Sequence, residues 1–527
     1  LIGCYNTGEV VATNPTTVCT LAGLIGMATA SKDSEPYYLK DCYNTASISS
    51  ATNNAGLIVE GSSSGYSKYY MEGCYNTGDI SSTINSTASS TYTAGIIGVY
   101  TAGSTFKNCW NSGTILSQKP VYAAGIACYY KGTFSEQNPV RFIGCHNEGD
   151  IIASGNQGAG IVAYATNYSV IDSCYNKGDI EGGFGLGGIV AALTGNNTVM
   201  SNCWNSGDIT TTSNRAGGLI GYNAYGGTTI TNCYNLGDVT CSGTDAKTCY
   251  GIGGVAGQGG GHYKNVYSYG TVKGVARVGG LIGYSIVGSE RNGVVIGTRI
   301  EDSYFAGTVE APADTCAMII GVKMTDNPKT WNPAHNYVKN VYYVKELASE
   351  GVNTAGTALA YADLLKVDMG DGWKSYDDYT MPVLQGFCDT DDAKVNAAAI
   401  LLDAADMAAQ VATKDFYIGH PEGVTITTDN ADVVVDGNKV HFNKPFTGTL
   451  TLTLTAGEST AELEVDCKVT SVVNGVTTVE SEAGVVKKEY FTTSGVKVAA
   501  PKAGEKAVYV VVKTYKDGSK KSEKVVL

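Results

Sequence analysis

The stretch Cys74-Tyr-Asn-Thr-Gly-Asp-Ile80 decides the fold, because the chain repeats it with small changes. Eight copies begin with a cysteine and three degenerate copies do not: Cys4, Cys42, Cys74, Cys109, Cys145, Cys174, Cys203 and Cys233, then Val266, Ser303 and Val341. Successive copies lie 29 to 38 residues apart. A recurring period of this length is typical of an array in which every repeat is one structural unit.

Each repeat also contains two other short apolar segments. One is a Gly-rich box, as in Ala22-Gly-Leu-Ile-Gly26 and Gly217-Gly-Leu-Ile-Gly221, and the other centres on an apolar residue three positions before the cysteine. Such short strands cannot bury an apolar face alone, but stacked turn on turn they form parallel sheets around a closed interior. The sequence therefore predicts an all-β fold, a parallel β-solenoid (β-helix) of about eleven turns followed by small β-sandwich domains.

The two boxes together resemble the GLUG repeat family, and the resemblance covers residues 1–345. That family occurs in bacterial surface proteins, including adhesins and some immunoglobulin A-cleaving proteases. The resemblance implies a repetitive surface protein. It is far less specific for function than for fold, because one fold supports many functions.

A corner of the coil is predicted immediately before each cysteine. The residue at that position is Asn, Asp, Gly or Ser, and most of these tolerate left-handed backbone conformations. A corner there resets the alternation of side chains, which places the cysteines inside and the following aromatic residues outside. The reverse assignment stays open at this point, because corners are hard to place from sequence.

The outward column would contain one aromatic residue in nearly every turn. The tentative ligand-binding residues on this ridge are Tyr75, Trp110, Tyr175, Trp204 and Tyr234. Exposed aromatic side chains offer an apolar body with a polar edge, which suits glycans or extended polypeptides. The alternative interpretation, which we favour, is that the rings stack on one another or lie under loops and serve stability.

Two polar columns accompany the aromatic one. The Asn after each aromatic residue is expected to form a ladder of stacked amides, and the Asp three residues further on, as in Asp79, an acidic column. Lone stacked acids more often face water than bind Ca²⁺. No Cys-x-x-Cys and no paired-His spacing occurs, so neither a metal nor a cofactor is predicted, although Cys241 and Cys249 could close a loop.

Catalytic motifs are sparse. The chain has neither a His-Glu-x-x-His sequence nor a phosphate-binding loop, and its five His are scattered, so no catalytic residues are assigned. One irregular charged stretch, residues 277–302, could house a carbohydrate-active site of a lyase or hydrolase. Its charged residues are Arg277, Glu290, Arg291, Arg299, Glu301 and Asp302.

Composition excludes other classes. The chain has 527 residues with a formal net charge of −13, which disfavours nucleic acid as a partner. No run of about 18 apolar residues occurs, so no transmembrane segment is expected. Charged residues make up only 16% and hydrophobic residues 43%, which argues against a disordered chain.

The composition changes after the array. Residues 346–390 are expected to cap the solenoid and include a helix-like stretch over 358–366. Residues 391–468 combine an Ala-rich helix over 391–412 with alternating strands, which resemble the bacterial immunoglobulin-like domains of Bacteroidetes surface proteins. Residues 469–527 form a small β domain that resembles the sorting domain of type IX secretion cargo.

Taken together, these features predict an adhesin-like protein without catalysis, secreted or on the outer surface of a Gram-negative bacterium. Its partner would be a host or dietary glycan or an extracellular protein. A β-helix enzyme near 277–302 and a passive stalk are the alternatives, and the oligomeric state is unknown. The chain starts within a repeat, at Leu1-Ile-Gly-Cys4, so we expect the natural N-terminus to lie further upstream.

Overall fold

The computed structural model of the chain describes most of the array and parts of the later modules. The described residues are 1–12, 19–28, 35–61, 67–83, 91–118, 122–132, 136–155, 157–322, 334–348, 355–375, 381–387, 391–396, 399–401, 411–420, 422–470, 472, 485–492, 497–498, 508–515 and 520–526. Strands dominate, and the solenoid strands pair in parallel from turn to turn, as predicted.

The first sheet carries the repeated Cys box and has two flanks, one on each side of the predicted corner. The pre-corner strands are Tyr37–Lys40, Tyr69–Glu72, Thr105–Lys107, Val140–Ile143, Ser169–Asp172 and Val199–Ser201. The post-corner strands are Tyr5–Asn6, Tyr43–Asn44, Tyr75–Asn76, Trp110–Asn111, His146–Asn147, Tyr175–Asn176 and Trp204–Asn205. Later strands run through the corner: Thr229–Asn235, Gly261–Ser268, Thr298–Phe305 and Tyr337–Val344.

Three further sheets, each ten-stranded, complete the turns. Sheet 2 contains Val10–Val11, Ile48–Ser50, Ile80–Ser82, Ile115–Ser117, Ile151–Ala153, Ile180–Gly182, Ile209–Thr211, Val239–Cys241, Val272–Lys273 and Val309–Glu310. Sheet 3 contains Thr20–Ala22, Asn53–Ala55, Tyr92–Ala94, Tyr122–Ala124, Gln157–Ala159, Leu186–Gly187, Ala216–Gly217, Tyr250–Gly253, Ala276–Gly279 and Cys316–Ala317. Sheet 4 contains Ile25–Ala28, Ile58–Gly61, Ile97–Tyr100, Ala127–Tyr130, Val162–Ala165, Val190–Leu193, Ile220–Asn223, Ala256–Gly259, Ile282–Ser285 and Ile320–Val322.

The predicted corner is confirmed. The residue before each repeat unit has a left-handed φ, between 47° and 63°: Gly3, Asp41, Gly73, Asn108, Gly144, Ser173, Asn202, Asn232, Asn265, Asp302 and Asn340. The cysteines that follow point inward, and those from Cys42 to Cys233 are fully buried beside the Ile and Val residues of the other sheets. The inside assignment of the cysteines is therefore correct.

The buried thiols of the repeat are free. Each donates weakly to carbonyl oxygens; for example, Cys109 Sγ lies 3.6 Å from the oxygens of both Met71 and Lys107. These buried, unbridged thiols form a column of small groups inside the coil. Outside this column, Cys241 and Cys249 form a disulfide that closes a short loop.

A cap follows the last complete turn. It contains the strand Thr357–Leu359, the helix Tyr361–Leu364, the 3₁₀ turns Lys345–Leu347 and Gln385–Phe387, and the paired strands Trp373–Lys374 and Val383–Leu384. Of the helix-like stretch predicted over 358–366, residues 361–364 form one helical turn, and residues 358 and 359 belong to the preceding strand. A separate antiparallel hairpin, Ser289–Arg291 with Val294–Ile296, leaves the coil before the last turns.

The module after the cap corrects one prediction. Its helix spans only Asp391–Asn396, and Ala399–Leu401 is already a strand that pairs with Phe416–Gly419. Helix propensity over 391–412 was overridden by this sheet contact; residues 402–410 lie outside the described residues. The remaining strands are Thr425–Thr427, Val433–Asp436, Lys439–Phe442, Phe446–Ala456 and Ser459–Val469, which form two antiparallel sheets around one apolar core.

The C-terminal part of the chain contains a four-stranded antiparallel sheet. Its strands are Val485–Thr492, Lys497–Val498, Val508–Tyr515 and Lys520–Val526. The last two strands pair with each other in antiparallel register. Within the described ranges, no helix has the length and apolar character that crossing a bilayer requires.

Candidate functional site

The aromatic column forms one continuous stack along the post-corner flank. Consecutive rings from Tyr5 to Tyr304 are separated by 4.6 to 5.9 Å between centroids, and their planes are parallel to within 8°. Each ring face is therefore covered by the ring of the next turn. Only ring edges point away from the coil, so the stack offers no flat aromatic face to a sugar.

The predicted binding residues divide into two groups. Tyr75, Trp110 and Tyr175 are half-buried and keep an outward edge. Trp204 is only 4% exposed, and Tyr234 is fully buried. The sequence-based placement of Trp204 and Tyr234 on an exposed ridge is therefore wrong, since neither side chain is accessible.

The cap is what buries this end of the stack. Phe387 contacts Tyr234 edge-on at 4.8 Å, and the hydroxyl of Tyr304 donates to the carbonyl oxygen of Pro382 at 2.7 Å. Trp373 donates through Nε1 to Oδ1 of Asn265 at 3.0 Å. Stacking and covering thus both occur, as the alternative interpretation of the column anticipated.

The polar columns beside the rings are structural. Eight asparagines, from Asn6 to Asn235, form an unbroken ladder, and each Nδ2 before the last donates to Oδ1 of the next turn at 2.7 to 2.8 Å. The Asp column accepts backbone amides of the following turn, as Asp179 does from Asp208. Burial, followed by the charges of Asp238 and Asp179, raises the pKa of Asp208. Among the described residues, no group of three or more His, Cys, Asp or Glu is arranged to hold a metal ion.

The outer face of the pre-corner strands differs from the ring stack because its side chains vary from turn to turn. The residues in register along it are Tyr38, Tyr70, Thr105, Arg141, Val170, Val199, Thr229, His262, Arg299 and Tyr337. Tyr38 is 46% exposed and Val199 is 40% exposed, both unusual for large apolar side chains. We call this surface the pre-corner face.

A shallow depression of about 500 Å³ interrupts the pre-corner face. Val170, Val199, Thr229, Tyr168 and Glu136 are among the residues that line it. Tyr168 has a left-handed φ of 60°, which places this bulky residue in a conformation that Gly or Asn usually adopts. The depression thus combines apolar, aromatic and acidic groups at one place on an otherwise regular surface.

A charged cluster occupies the C-terminal end of the same face. Tyr337 donates to Oε1 of Glu301 at 2.6 Å, and Nε2 of His262 lies 3.6 Å from Oε2 of Glu301. Arg299 is in register with His262 and Tyr337, and its buried Nε has no hydrogen-bond partner among the described residues. Lys264 lies beside the cluster.

Local electrostatics set the protonation of this cluster. Burial, then the positive charge of Arg299, lowers the pKa of His262, so the imidazole is neutral near pH 7. Burial opposes ionisation of Glu301, but the hydrogen bond from Tyr337 and the charges of His262 and Lys264 lower its pKa overall. Burial and the Glu301 contact raise the pKa of Tyr337 to about 12.

Only some of the charged residues predicted within 277–302 lie together in this charged cluster. Arg299 and Glu301 belong to the cluster, and Asp302 lies 3.5 Å from Lys264 at its edge. Arg277 lies instead on sheet 3, stacked on Tyr250 and Tyr284. The side chain of Arg291 lies outside the described residues. His262 and Tyr337 were missed from sequence, because only the turn-to-turn register brings them beside Arg299.

Comparisons with known proteins identify the repeat motif but add little information about the rest of the chain. The model of "The GLUG motif" matches residues 212–240, which lie within one turn of the array. The chain is thus a β-solenoid repeat protein that contains a GLUG motif, and this combination fits a surface repeat protein. No curated protein matches the chain significantly.

One solved structure shares limited similarity. It is that of a Bacteroides ovatus protein provisionally assigned as an immunoglobulin A1 protease. The identity is 14%, the match covers 67% of this chain and 86% of that chain, and the TM-score is 0.29. At that TM-score, the similarity supports no argument about the fold or activity of this chain.

Proposed function

We propose that the chain is a secreted or surface-displayed bacterial adhesin-like protein that binds a glycan or an extracellular protein through its pre-corner face, without catalysis. The observation that carries this proposal is the depression around Val199, where this exposed apolar side chain and the partly exposed Val170 meet Tyr168 and Glu136. Exposed apolar patches with a polar rim are typical of interaction surfaces. The repeated ring stack, by contrast, has its faces occupied by stabilising contacts.

A glycan array and a panel of extracellular matrix proteins, both probed with the full chain, would identify the ligand. Val199→Glu puts a charge in the lining of the depression, and we expect it to weaken binding at least tenfold. Val434→Glu is the matched control, because Val434 is 45% exposed on the later β-sheet module. Equal binding by both variants would contradict the proposal, and no binding to any probe would favour a passive stalk.

The second candidate function is an enzyme that acts on polysaccharides, and the cluster at Glu301 is the observation that favours it. In a lyase step, a neutral His262 beside Arg299 would remove the proton next to a sugar carboxylate whose charge Arg299 offsets; the freed electron pair would form the C=C bond as the glycosidic C–O bond breaks, and water would protonate the departing oxygen. Incubation with acidic polysaccharides, followed by ultraviolet detection of unsaturated products, tests this directly. Activity that Arg299→Ala abolishes would overturn the non-catalytic proposal.

The later modules complete the proposal. We further propose that residues 391–468 form an immunoglobulin-like module of the Bacteroidetes type and that residues 469–527 are a sorting domain for type IX secretion; both proposals rest on the sequence resemblance, and the described residues of both parts contain antiparallel sheets. Fusing residues 469–527 to a reporter in a bacterium with that secretion system would test export. Retention of the reporter inside the cells would contradict the sorting role.

A further inference from the structure

Sheets 3 and 4 carry a second aromatic surface, which contains two arginines. The guanidinium of Arg215 lies 5.2 Å from the ring centroids of both Phe184 and Tyr222, and its Nε donates to the hydroxyl of Tyr284 at 3.0 Å. The guanidinium of Arg277 lies 4.9 Å from Tyr250 and 5.1 Å from Tyr284. These six residues form the arginine–aromatic strip. Unlike the parallel rings of the ring stack, the ring planes of Phe184 and Tyr222 differ by 42°, and those of Tyr250 and Tyr284 differ by 53°.

The strip has a period of two turns. Gly185, Arg215, Gly251 and Arg277 occupy equivalent register positions along sheet 3, and all four have left-handed φ values of 67°, 65°, 76° and 54°. A Cβ at Gly251 would come within 2.6 Å of the Tyr284 ring, and one at Gly185 within 3.2 Å of the Tyr222 ring. The glycines therefore make room for the tyrosines, and each arginine lies over a tyrosine.

The arginines occupy a strained conformation that neighbouring turns assign to glycine. A non-Gly residue in the left-handed region is unfavourable, and such outliers concentrate at functional sites. Among the described residues, no carboxylate lies within salt-bridge distance of Arg215 or Arg277. Acidic residues outnumber basic residues in the whole chain, 49 to 36. A shortage of carboxylates therefore does not explain why these two arginines have no acidic partner.

We propose that the arginine–aromatic strip binds an acidic polysaccharide that carries one carboxylate or sulfate per disaccharide. Arg277 is exposed, and Arg215 uses only its Nε in the bond to Tyr284, so the Nη groups of both guanidiniums can contact such an anion, while the partly exposed rings of Phe184 and Tyr250 can contact the sugar between. The two arginines are two turns apart, about 10 Å at the usual strand spacing, which is close to one disaccharide of an extended chain.

A saccharide fits this surface better than an acidic peptide. The sheet 3 and sheet 4 strands that carry the strip are paired on both sides, so they have no free edge to which a peptide strand could add. The proposed site lies on different sheets from the pre-corner face. A negative result at the arginine–aromatic strip would therefore leave the proposed function of the pre-corner face unaffected. A negative result at the pre-corner face would likewise leave the proposal for the strip unaffected.

Calorimetric titration of the full chain with a hexasaccharide of alternating glucuronic acid and N-acetylglucosamine tests the proposal. Carboxyl-reduced and sulfated hexasaccharides separate charge from sugar shape and carboxylate from sulfate. Arg215→Gly with Arg277→Gly removes both guanidinium groups, and because neighbouring turns already hold Gly there, the Tm should be unchanged or higher. We expect at least a tenfold loss of affinity, whereas Lys273→Gln on sheet 2, which also removes a positive charge, should leave binding intact.

Three results would overturn the proposal. One is equal binding of an acidic hexasaccharide by the wild type and the double Gly variant, and another is equal binding of the carboxyl-reduced form. The third is binding of a poly-glutamate peptide in the absence of any acidic saccharide binding, which would assign the strip to acidic polypeptides.

Discussion

The side-chain amide of Asn76 donates to Oδ1 of Asn111 in the next turn at 2.7 Å, and the same Nδ2 donates to the carbonyl oxygen of Gly78 at 2.7 Å. Both asparagines are fully buried. Because each amide both donates to the next turn and accepts from the previous one, a single asparagine fixes the register of three turns. This ladder explains why Asn follows the aromatic residue in eight consecutive repeats.

Breaking the ladder in its middle should destabilise the solenoid. Asn147→Ala leaves the carbonyl oxygen of Gly149, Oδ1 of Asn176 and one donor of Asn111 without their partners. Buried polar groups without partners cost about 1–3 kcal/mol each, so we expect a loss of about 3 kcal/mol in urea unfolding. Asn6→Ala, at the more exposed first turn, should cost about 1 kcal/mol; equal losses at both sites would refute the ladder's role.

The glycine after the small residue of sheet 3 is required by close approach of the backbone. A Cβ on Gly125 would lie 2.3 Å from the oxygen of Gly160 and 2.4 Å from Oδ1 of Asn147. Gly125→Ala should therefore lower the free energy of unfolding by about 3 kcal/mol, at the upper end of overpacking costs. Gly8→Ala serves as the control, because its nearest atom would be 3.9 Å away. A Tm for Gly125→Ala equal to that of the control would show that the backbone can shift here to make room for the added Cβ.

The cysteine column should resist alkylation until the chain unfolds. Burial raises the pKa of Cys109, Cys174 and Cys203, so these thiols stay protonated and unreactive in the folded state. Maleimide labelling followed by peptide mass spectrometry should modify the partly exposed Cys4 and Cys19 first. Rapid labelling of Cys109 under native conditions would show that the interior is open.

The same shifts predict a pH dependence of stability. A thiol whose pKa is raised on folding binds its proton more tightly in the folded than in the unfolded state. This stabilisation is fully present below the ordinary thiol pKa and is lost as the pH rises above it. Urea midpoints should therefore stay constant up to the ordinary thiol pKa and fall as the pH rises above it. Replacing Cys109 and Cys174 together with Ala should flatten that decline, and an unchanged slope would assign it to other groups.

The cap should be energetically coupled to the ring stack. Phe387 is buried against Tyr234, so Phe387→Ala should cost about 3 kcal/mol as a cavity mutation. Hydrogen exchange should then rise at the amides of Tyr234 and Tyr267 but not at that of Tyr75, which the cap does not cover. An equal rise in hydrogen exchange along the whole stack would mean that the cap does not specifically stabilise the turns it covers.

The coil could be predicted from the local sequence pattern because each feature that defines it recurs in successive repeats. The left-handed residue before the cysteine, the buried cysteine and the asparagine after the aromatic residue each follow from spacing within one repeat. The burial of Trp204 and Tyr234 could not be predicted in this way. It depends on contacts from cap residues 361–375 and 381–387 to these later turns, which no repeat encodes.

Two further features lay beyond sequence reasoning for the same reason. The proximity of His262, Arg299 and Tyr337 depends on the register between turns of unequal length. The early end of the helix at Asn396 reflects pairing of Ala399–Leu401 with Phe416–Gly419, which outweighs the helix propensity of alanine.

The central claim is that all repeats are rungs of one coil, and a distance measurement between two exposed positions tests it most directly. Tyr38 and Val199 are five rungs apart on the pre-corner face. At about 4.8 Å per rung, genetically encoded spin labels at these sites should give a narrow distribution centred near 24 Å, widened only by the label linkers. A broad distribution, or one centred well beyond that distance, would contradict a single in-register solenoid.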